Sequence, residues 1–112
     1  MSSAAVPPSS NSVNALQAAV QALRERHGIQ VPASAALLDA CAELGELAGA
    51  YLKHHDYRLD TSAGPHDELP VDVRAEYGDV LFAVLSFAAA AGIDAERELL
   101  QTLSHYEIRF GS

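Results

Sequence analysis

The sequence predicts an all-α protein, a bundle of four helices without β-strands. Hydrophobic residues make up 49 % of the chain and aromatics only 6 %, so the core would be built from Ala, Leu and Val. Ala-rich stretches favour helix, and no stretch shows the Val, Ile or Thr alternation that is typical of strands. The chain of 112 residues is long enough for one small domain. We place that domain at residues 12–110.

The first helix is predicted at residues 13–27. It follows residues 1–11, which are small, polar and Pro-containing and therefore predict a disordered tail. Ser12 is a suitable N-cap for this helix, and Gly28 is a suitable residue to end it.

The second helix is predicted at residues 35–54, with Pro32 and Ser34 at its start. Its apolar residues recur every three or four positions, which is the pattern of an amphipathic helix. Residues 55–69 then show no periodicity and contain Gly-Pro. This connection is long for a helical bundle, so we expect a functional lid or a mobile segment there.

The third helix is expected to begin near Pro70 and to run to Ala91, where Gly92 ends it. Asp94 is the expected N-cap of a fourth helix over residues 95–109. The third helix is apolar on nearly all sides, with Glu76 and Asp79 in its narrow polar sector. A helix of this kind is usually buried on most sides, and in so small a chain this predicts that a second subunit covers part of it.

Two carboxylate pairs with the same spacing are the strongest chemical signal, Glu43-x-x-Glu46 on the second helix and Glu76-x-x-Asp79 on the third. Residues three apart lie on one helical face, so each pair can offer two oxygen ligands in one direction. A solvated polar face also explains the first pair. The second pair is harder to explain in that way, because its helix offers little solvent-facing surface. We therefore predict a divalent-cation site formed by both pairs.

The chemistry of the ligands limits the metal and the reaction. Oxygen ligands suit Mg²⁺, Mn²⁺ or Ca²⁺, whereas zinc prefers His and Cys. A di-iron bundle would need Glu-x-x-His, and none of the five His lies three residues after a Glu. No P-loop, dinucleotide fingerprint or nucleophilic-serine motif is present. An acidic Mg²⁺ site most often serves a phosphate-bearing substrate.

Composition excludes other classes of function. The formal charge of −8 argues against binding to a nucleic-acid polymer. Cys41 is the single cysteine, so no intrachain disulfide can form, and it is interpreted as core filling. The longest apolar run falls short of a membrane span, and no secretory signal is visible. The expected location is the cytoplasm.

The motifs resemble those of the MazG-like, all-α nucleoside triphosphate pyrophosphohydrolase family. The family pattern is E-x-x-E on one helix and E-x-x-D on a later one, and its most specific piece, E-x-G-D-x-L-F, stands here at residues 76–82. The resemblance covers roughly residues 13–110. It implies a MazG-like bundle that forms homodimers or dimers of dimers.

The resemblance also implies a reaction and a site. The reaction is the Mg²⁺-dependent hydrolysis of a (deoxy)nucleoside triphosphate between its α- and β-phosphates, which yields the monophosphate and pyrophosphate. Mn²⁺ is a possible replacement for Mg²⁺. The four carboxylates would form the metal-binding and catalytic site: Glu43, Glu46, Glu76 and Asp79.

This chain departs from the family pattern at two places. Ala42 stands where the family often has a further Glu, which leaves Asp39 or a metal-activated water as the base. In the fourth helix the family's Asn and Lys are replaced, although an Arg-Phe pair is kept. The candidates for phosphate contact are then Lys53, His105 and Arg109. A non-catalytic dimer that binds a nucleotide or a protein, and a purely structural helical module, are the rival interpretations.

Overall fold

The computed structural model describes residues 12–57 and 69–111, and in these two ranges every regular element is an α-helix. This confirms the all-α prediction and the number of helices. The predicted tail at residues 1–11 lies outside the described residues, as do residues 58–68 of the long connection. The four helices are α1 (Val13–Arg26), α2 (Ala33–His54), α3 (Val71–Ala91) and α4 (Ala95–Phe110).

The predicted ends of three helices agree with the structure to within a residue or so. The Ser12 hydroxyl accepts a hydrogen bond from the Ala15 N–H at 3.1 Å and so caps α1. Asp94 caps α4 in the same way, accepting from the Arg97 N–H at 2.9 Å. Gly92 ends α3 with a φ of 73°, a left-handed conformation that glycine adopts without a steric penalty.

The start of α2 differs from the prediction by two residues. Pro32 is its N-cap, in an extended conformation, and the Pro32 carbonyl accepts the first helical hydrogen bond, from the Ala36 N–H at 3.0 Å. Ser34 was expected near the helix start but lies inside the first turn. Ala33 is a strong helix former, and the helix therefore continues back to the proline.

The helices pack around α3. The most extensive contact joins α2 to α3, while α1 packs on α3 and α4 packs on α1. The buried apolar residues are mostly small, which lets the helix backbones approach one another. No side chain in the described ranges is completely buried. The buried apolar residues are Ala36, Val73, Ala83 and Ala88.

A buried arginine connects three parts of this packing. Arg24 of α1 is only 5 % exposed, and its guanidinium donates to the Ser86 carbonyl of α3 at 3.1 Å and to the Val31 carbonyl at 3.4 Å. Val31 lies in the connection that leads into α2. Because a buried charge is unfavourable without hydrogen-bond partners, these two carbonyls offset the free-energy cost of burying Arg24. The side chain thereby holds α1, the start of α2 and α3 in one arrangement.

The start of α1 and the start of α4 cap each other. The Gln17 amide donates to the Ile93 carbonyl at 2.7 Å and accepts from the Ala95 N–H at 2.9 Å. In return, the Glu96 carboxylate accepts from the Asn14 N–H at 2.7 Å. The N–H groups of Ala95 and Asn14 belong to the first turns of two helices, and a helix cannot satisfy such groups by itself. α4 is therefore fixed to α1 at its first turn.

A single chain covers only part of α3, and on the side away from Glu76 the covered part is near the end of the helix, where Ala88 is buried. The buried residues Ala83 and Ser86 share a helical sector with Glu76, and this sector is the one packed inside the chain. The sector that holds Tyr77, Leu81 and Val84 is 44–56 % exposed. The sequence predicted a helix covered on most sides. Within one chain, a large part of its apolar surface is open.

None of the four described helices is by itself long and apolar enough to cross a membrane. α3 and α4 reach the required length and composition only as a pair, and the chain bends by 105° between them.

Candidate metal centre

Three of the predicted ligands meet where α2 packs on α3. Glu43 and Glu46 are one turn apart on α2, so their side chains leave the helix in a similar direction. Glu76 faces them from the packed sector of α3. One carboxylate oxygen of each residue can be chosen so that all three lie within 4.8 Å of one another. The repeated spacing in the sequence thus corresponds to a cluster in space.

Two carboxylate oxygens in this cluster have no hydrogen-bond partner within the described part of the chain. The Oε1 atoms of Glu43 and Glu76 are both removed from solvent, and neither accepts a hydrogen bond. Their residues are half-buried, whereas Glu46 is exposed. An ionised oxygen that is removed from water without a donor is unfavourable. A bound cation is one way to compensate both atoms at once.

Electrostatic crowding is concentrated on Glu43. Partial removal from water and the negative charge of Glu46 raise the pKa of the Glu43 carboxyl group above its ordinary value. Asp79, Asp39 and Glu76 add to this rise, in that order. Glu43 is therefore the centre of the negative potential, and the potential extends beyond the three clustered residues.

Asp79 lies at the edge of the cluster. It is exposed, and it does not belong to the group whose oxygens lie within 4.8 Å. Its charge nevertheless acts on Glu43. Asp79 follows Glu76 by one turn of α3, so a cation held by the three glutamates would be near it. Asp39 precedes Glu43 by one turn of α2 and is also exposed.

The candidate phosphate-binding residues are not brought to the cluster within one chain. Lys53 is exposed in the last turn of α2, two turns beyond Glu46. His105 and Arg109 are exposed on α4, the helix that packs on α1. In residues 12–57 and 69–111, no hydrogen bond or ion pair is found between these three side chains and the carboxylates. The Arg109 guanidinium lies 5.8 Å from the centre of the Phe110 ring.

The cluster has dimensions that suit a hard divalent cation. Opposite oxygens around Mg²⁺ are about 4.2 Å apart, twice a metal–oxygen distance of about 2.1 Å, and for Ca²⁺ the corresponding span is about 5 Å. The three glutamate oxygens lie within 4.8 Å of one another, and this distance falls between the spans for Mg²⁺ and Ca²⁺. Small rotations of exposed Glu46 would complete an Mg²⁺ or Mn²⁺ site with water as the remaining ligand. The residues therefore fit the implied metal.

An apolar cleft of about 660 Å³ adjoins the carboxylates. Leu44, Leu47 and Tyr77 each follow one of the clustered glutamates in sequence, and each contributes to its walls. Arg74 is the charged residue on its border. We refer to this feature as the α2–α3 cleft. It is lined by Leu44, Leu47, Ala48, Tyr51, Leu69, Val73, Arg74 and Tyr77.

Sequence reasoning did not identify the α2–α3 cleft or Arg24. Leu44, Ala48 and Tyr51 belong to the apolar face predicted for the second helix, but that face was not interpreted as a cleft, and Leu47 was not assigned to it. Arg24 follows Val20 by four residues and therefore lies on the apolar face of α1. A cation at that position could have predicted a buried hydrogen-bonding role.

Comparison with known proteins adds no family assignment. No protein-family model matches the chain, and neither the curated proteins nor the solved structures include a match to it.

Proposed function

We propose that the protein is a Mg²⁺-dependent nucleoside triphosphate pyrophosphohydrolase with a MazG-like bundle. The observation that supports this most is the cluster of Glu43, Glu46 and Glu76, in which two buried carboxylate oxygens have no partner among the described residues. The resemblance of the acidic motifs supplies the reaction, hydrolysis between the α- and β-phosphates. The substrate is a (deoxy)nucleoside triphosphate of the cytoplasmic pool, and Mn²⁺ can replace Mg²⁺.

The roles of the residues follow from their positions. Glu43, Glu46 and Glu76 hold the cation, and Asp79 lies one turn away to bind a second ion or a metal-bound water. A bound Mg²⁺ would supply neutralisation of the triphosphate oxygens and polarisation of the attacked phosphorus. The raised pKa of Glu43 makes this side chain the carboxylate most dependent on the cation for ionisation. Lys53, His105 and Arg109 are the cations available for phosphate contact.

The protein acts as a homodimer or a dimer of dimers. The exposed apolar sector of α3 supports this state, since Tyr77, Leu81 and Val84 form a surface that a monomer would leave in water. No side chain in residues 12–57 and 69–111 is completely buried, and such a fold gains stability when a second copy covers an exposed apolar surface.

One experiment tests the reaction. The protein is incubated with Mg²⁺ and a panel of nucleoside triphosphates, and pyrophosphate and orthophosphate are measured separately. We expect pyrophosphate release that Glu76→Gln and Asp79→Asn abolish. Glu107→Gln, an exposed carboxylate of α4, is the matched control and should retain activity. Orthophosphate release without pyrophosphate would contradict cleavage between the α- and β-phosphates.

A non-catalytic nucleotide- or protein-binding dimer of the same fold is the second candidate. Ala42 removes a carboxylate that the family often has, and the α4 cations are not joined to the carboxylates within one chain. This candidate predicts that metal and nucleotide raise the melting temperature while no pyrophosphate appears at any metal concentration. The assay above therefore separates the two functions.

A further inference from the structure

We propose that α4 of a second copy of this chain lies in the α2–α3 cleft of the first copy. Arg109 of the second copy then lies at the carboxylates of the first. The contact is reciprocal, so each chain gives its α4 and receives the partner copy's α4. The docking of α4 is independent of catalysis. The role of Arg109 at the site rests on the proposed function.

The first observation is an apolar stripe along α4 that the other described helices leave exposed. Leu99, Leu103, Tyr106 and Phe110 are spaced by four, three and four residues, the heptad pattern of a helix that packs against other helices. Each of these side chains is about half exposed or more. The Tyr106 and Phe110 rings contact each other with centroids 5.6 Å apart, so the stripe is continuous at its end. The stripe spans about 16 Å of helix.

The second observation is that α4 does not cover the cleft of its own chain. The chain bends by 105° between α3 and α4, and the hydrogen bonds of the Gln17 side chain and of the Asn14 N–H fix the first turn of α4 to α1. The stripe is therefore held away from α2. A second chain can present the same stripe to the cleft without disturbing these bonds.

The third observation is that the cleft matches the stripe in chemistry and in spacing. Leu44, Leu47 and Tyr51 line its α2 wall at intervals of three and four residues, and Val73 and Tyr77 line its α3 wall. Insertion of an apolar helix face into such a groove is a common recognition mode. A nucleobase is a poorer occupant, since its polar edge requires hydrogen-bond partners that aliphatic and aromatic walls do not supply.

The fourth observation is charge complementarity, which gives the helix a direction. His105 and Arg109 lie on one flank of the stripe in the second half of α4, whereas Glu107 lies on the opposite flank. The acidic cluster flanks the cleft beside Leu44 and Tyr77, and contact with it uses the flank that carries Arg109. Glu98 flanks the stripe near the start of α4, about 16 Å from Arg109. The favourable orientation therefore places the end of α4 at the carboxylates. His105 and Arg109, the α4 candidates for phosphate contact, are separate from the site within one chain and would then reach it from the second copy.

Cross-linking tests the docking without any activity measurement. Cys41 is exposed, so its interpretation as core filling was wrong, and it is first replaced by Ser. A chain with Ala48→Cys in the cleft is co-expressed with a differently tagged chain with Leu103→Cys in the stripe, and a short bismaleimide is added. We expect a mixed dimer at about tenfold higher yield than with Ile108→Cys, which lies half a helical turn away from the stripe and is 80 % exposed. Equal yields, or no mixed dimer, would overturn the proposal.

Sedimentation tests the same contact energetically. Leu103→Glu and Leu44→Glu are each expected to weaken the dimer by at least about 100-fold in Kd, because an isologous contact contains every substitution twice. Ile108→Glu and Leu38→Glu, exposed positions outside the stripe and the cleft, should leave Kd unchanged. Circular dichroism checks that helix content is retained. A wild type that is monomeric at high micromolar concentration would contradict the docking. A dimer whose Kd is unchanged by both Leu103→Glu and Leu44→Glu would also contradict it.

Subunit complementation tests the role of Arg109. Glu76→Gln removes a ligand from one chain, and Arg109→Ala removes the α4 cation from the other. In the mixed dimer, one site has intact carboxylates and receives Arg109 from the partner copy, so pyrophosphate release should return although each variant alone is inactive. No recovery with an active wild type would show that Arg109 does not act across the dimer. An inactive wild type that still cross-links would contradict the proposed function and leave the docking standing.

Discussion

The carboxylates at the α1–α4 junction and those between α2 and α3 differ in whether the chain itself supplies their partners. Glu96 accepts a backbone N–H of α1, and Gln17 uses both ends of its amide on the start of α4. Between α2 and α3 the packing is far more extensive, yet Glu43 and Glu76 each retain a buried oxygen without a donor in the described residues.

This difference separates polar groups that stabilise the fold from polar groups that need a ligand to compensate them. At the junction, two of the hydrogen bonds satisfy N–H groups of helix starts and a third holds the Ile93 carbonyl just before α4, so that α4 is fixed to α1. In the cluster, partial removal from water and repulsion by the neighbouring carboxylates together raise the pKa of Glu43. Repulsion that folding alone leaves uncompensated is typical of functional sites, because the ligand supplies the missing charge.

The largest expected effect is on metal binding. Glu76→Gln removes a ligand without changing the size of the side chain, and we expect the affinity for Mn²⁺ to fall by at least about 100-fold. Titration calorimetry with Mn²⁺ measures this change. Glu107→Gln is the control and should bind as the wild type does. If Glu76→Gln also binds normally, the carboxylates between α2 and α3 are a solvated acidic face and the contrast with the junction disappears.

The next effect concerns the junction. Gln17→Leu removes two hydrogen bonds between α1 and the start of α4, and we expect the free energy of unfolding to fall by about 1–2 kcal/mol. This corresponds to a decrease in melting temperature of about 5–10 °C in a domain of this size. Gln101→Leu, on the exposed surface of α4, should change the melting temperature little. Melting at one fixed protein concentration checks both variants, and equal loss in the two would mean that the junction bonds contribute nothing specific.

The helices were predictable because their signals are local. Ser12, Asp94 and Gly92 act through their own backbone, so their roles could be read directly from the sequence. The start of α2 was placed two residues late because a serine that could cap a helix competes with a proline whose geometry is equally suitable. Such a choice depends on small differences in free energy.

The metal site was predictable in composition but not in arrangement. Spacing within a helix places Glu43 beside Glu46, but the rotation of α3 against α2 decides which of its carboxylates comes nearest. The packing brings Glu76 into the cluster and leaves Asp79 exposed at its edge. The hydrogen bonds from Arg24 to Ser86 and from Gln17 to Ile93 join residues more than 60 positions apart, and no local pattern encodes such pairs.

A smaller effect on thermal stability is expected when the same change, Glu to Gln, is made in each of the two regions. Glu96→Gln weakens a charged acceptor at the start of α1, so it should destabilise the protein by about 0.5–1 kcal/mol. Glu43→Gln removes a repelled charge, so in the absence of metal at pH 7 it should raise the melting temperature. Thermal melts in the presence of a chelator measure both. Shifts of the same sign would contradict the division between satisfied and unsatisfied carboxylates.

The smallest effect is the pH dependence of the Glu43→Gln difference. Because the pKa of Glu43 is raised above its ordinary 4.5 in the folded chain, protonation favours the fold. This stabilisation is fully present below the unfolded pKa and is lost as pH rises through the folded pKa. The metal-free wild type should therefore melt progressively below Glu43→Gln between about pH 4.5 and pH 7.

Mg²⁺ should then reverse the order of the two proteins at pH 7. The wild type gains stability because the cation binds the folded cluster, and Glu43→Gln gains less because one ligand is neutral. Melting curves at pH 4.5 and pH 7, each with and without Mg²⁺, measure this crossing. A constant difference in all four conditions would mean that Glu43 is not repelled by its neighbours. The carboxylates between α2 and α3 would then be no different in kind from Glu96.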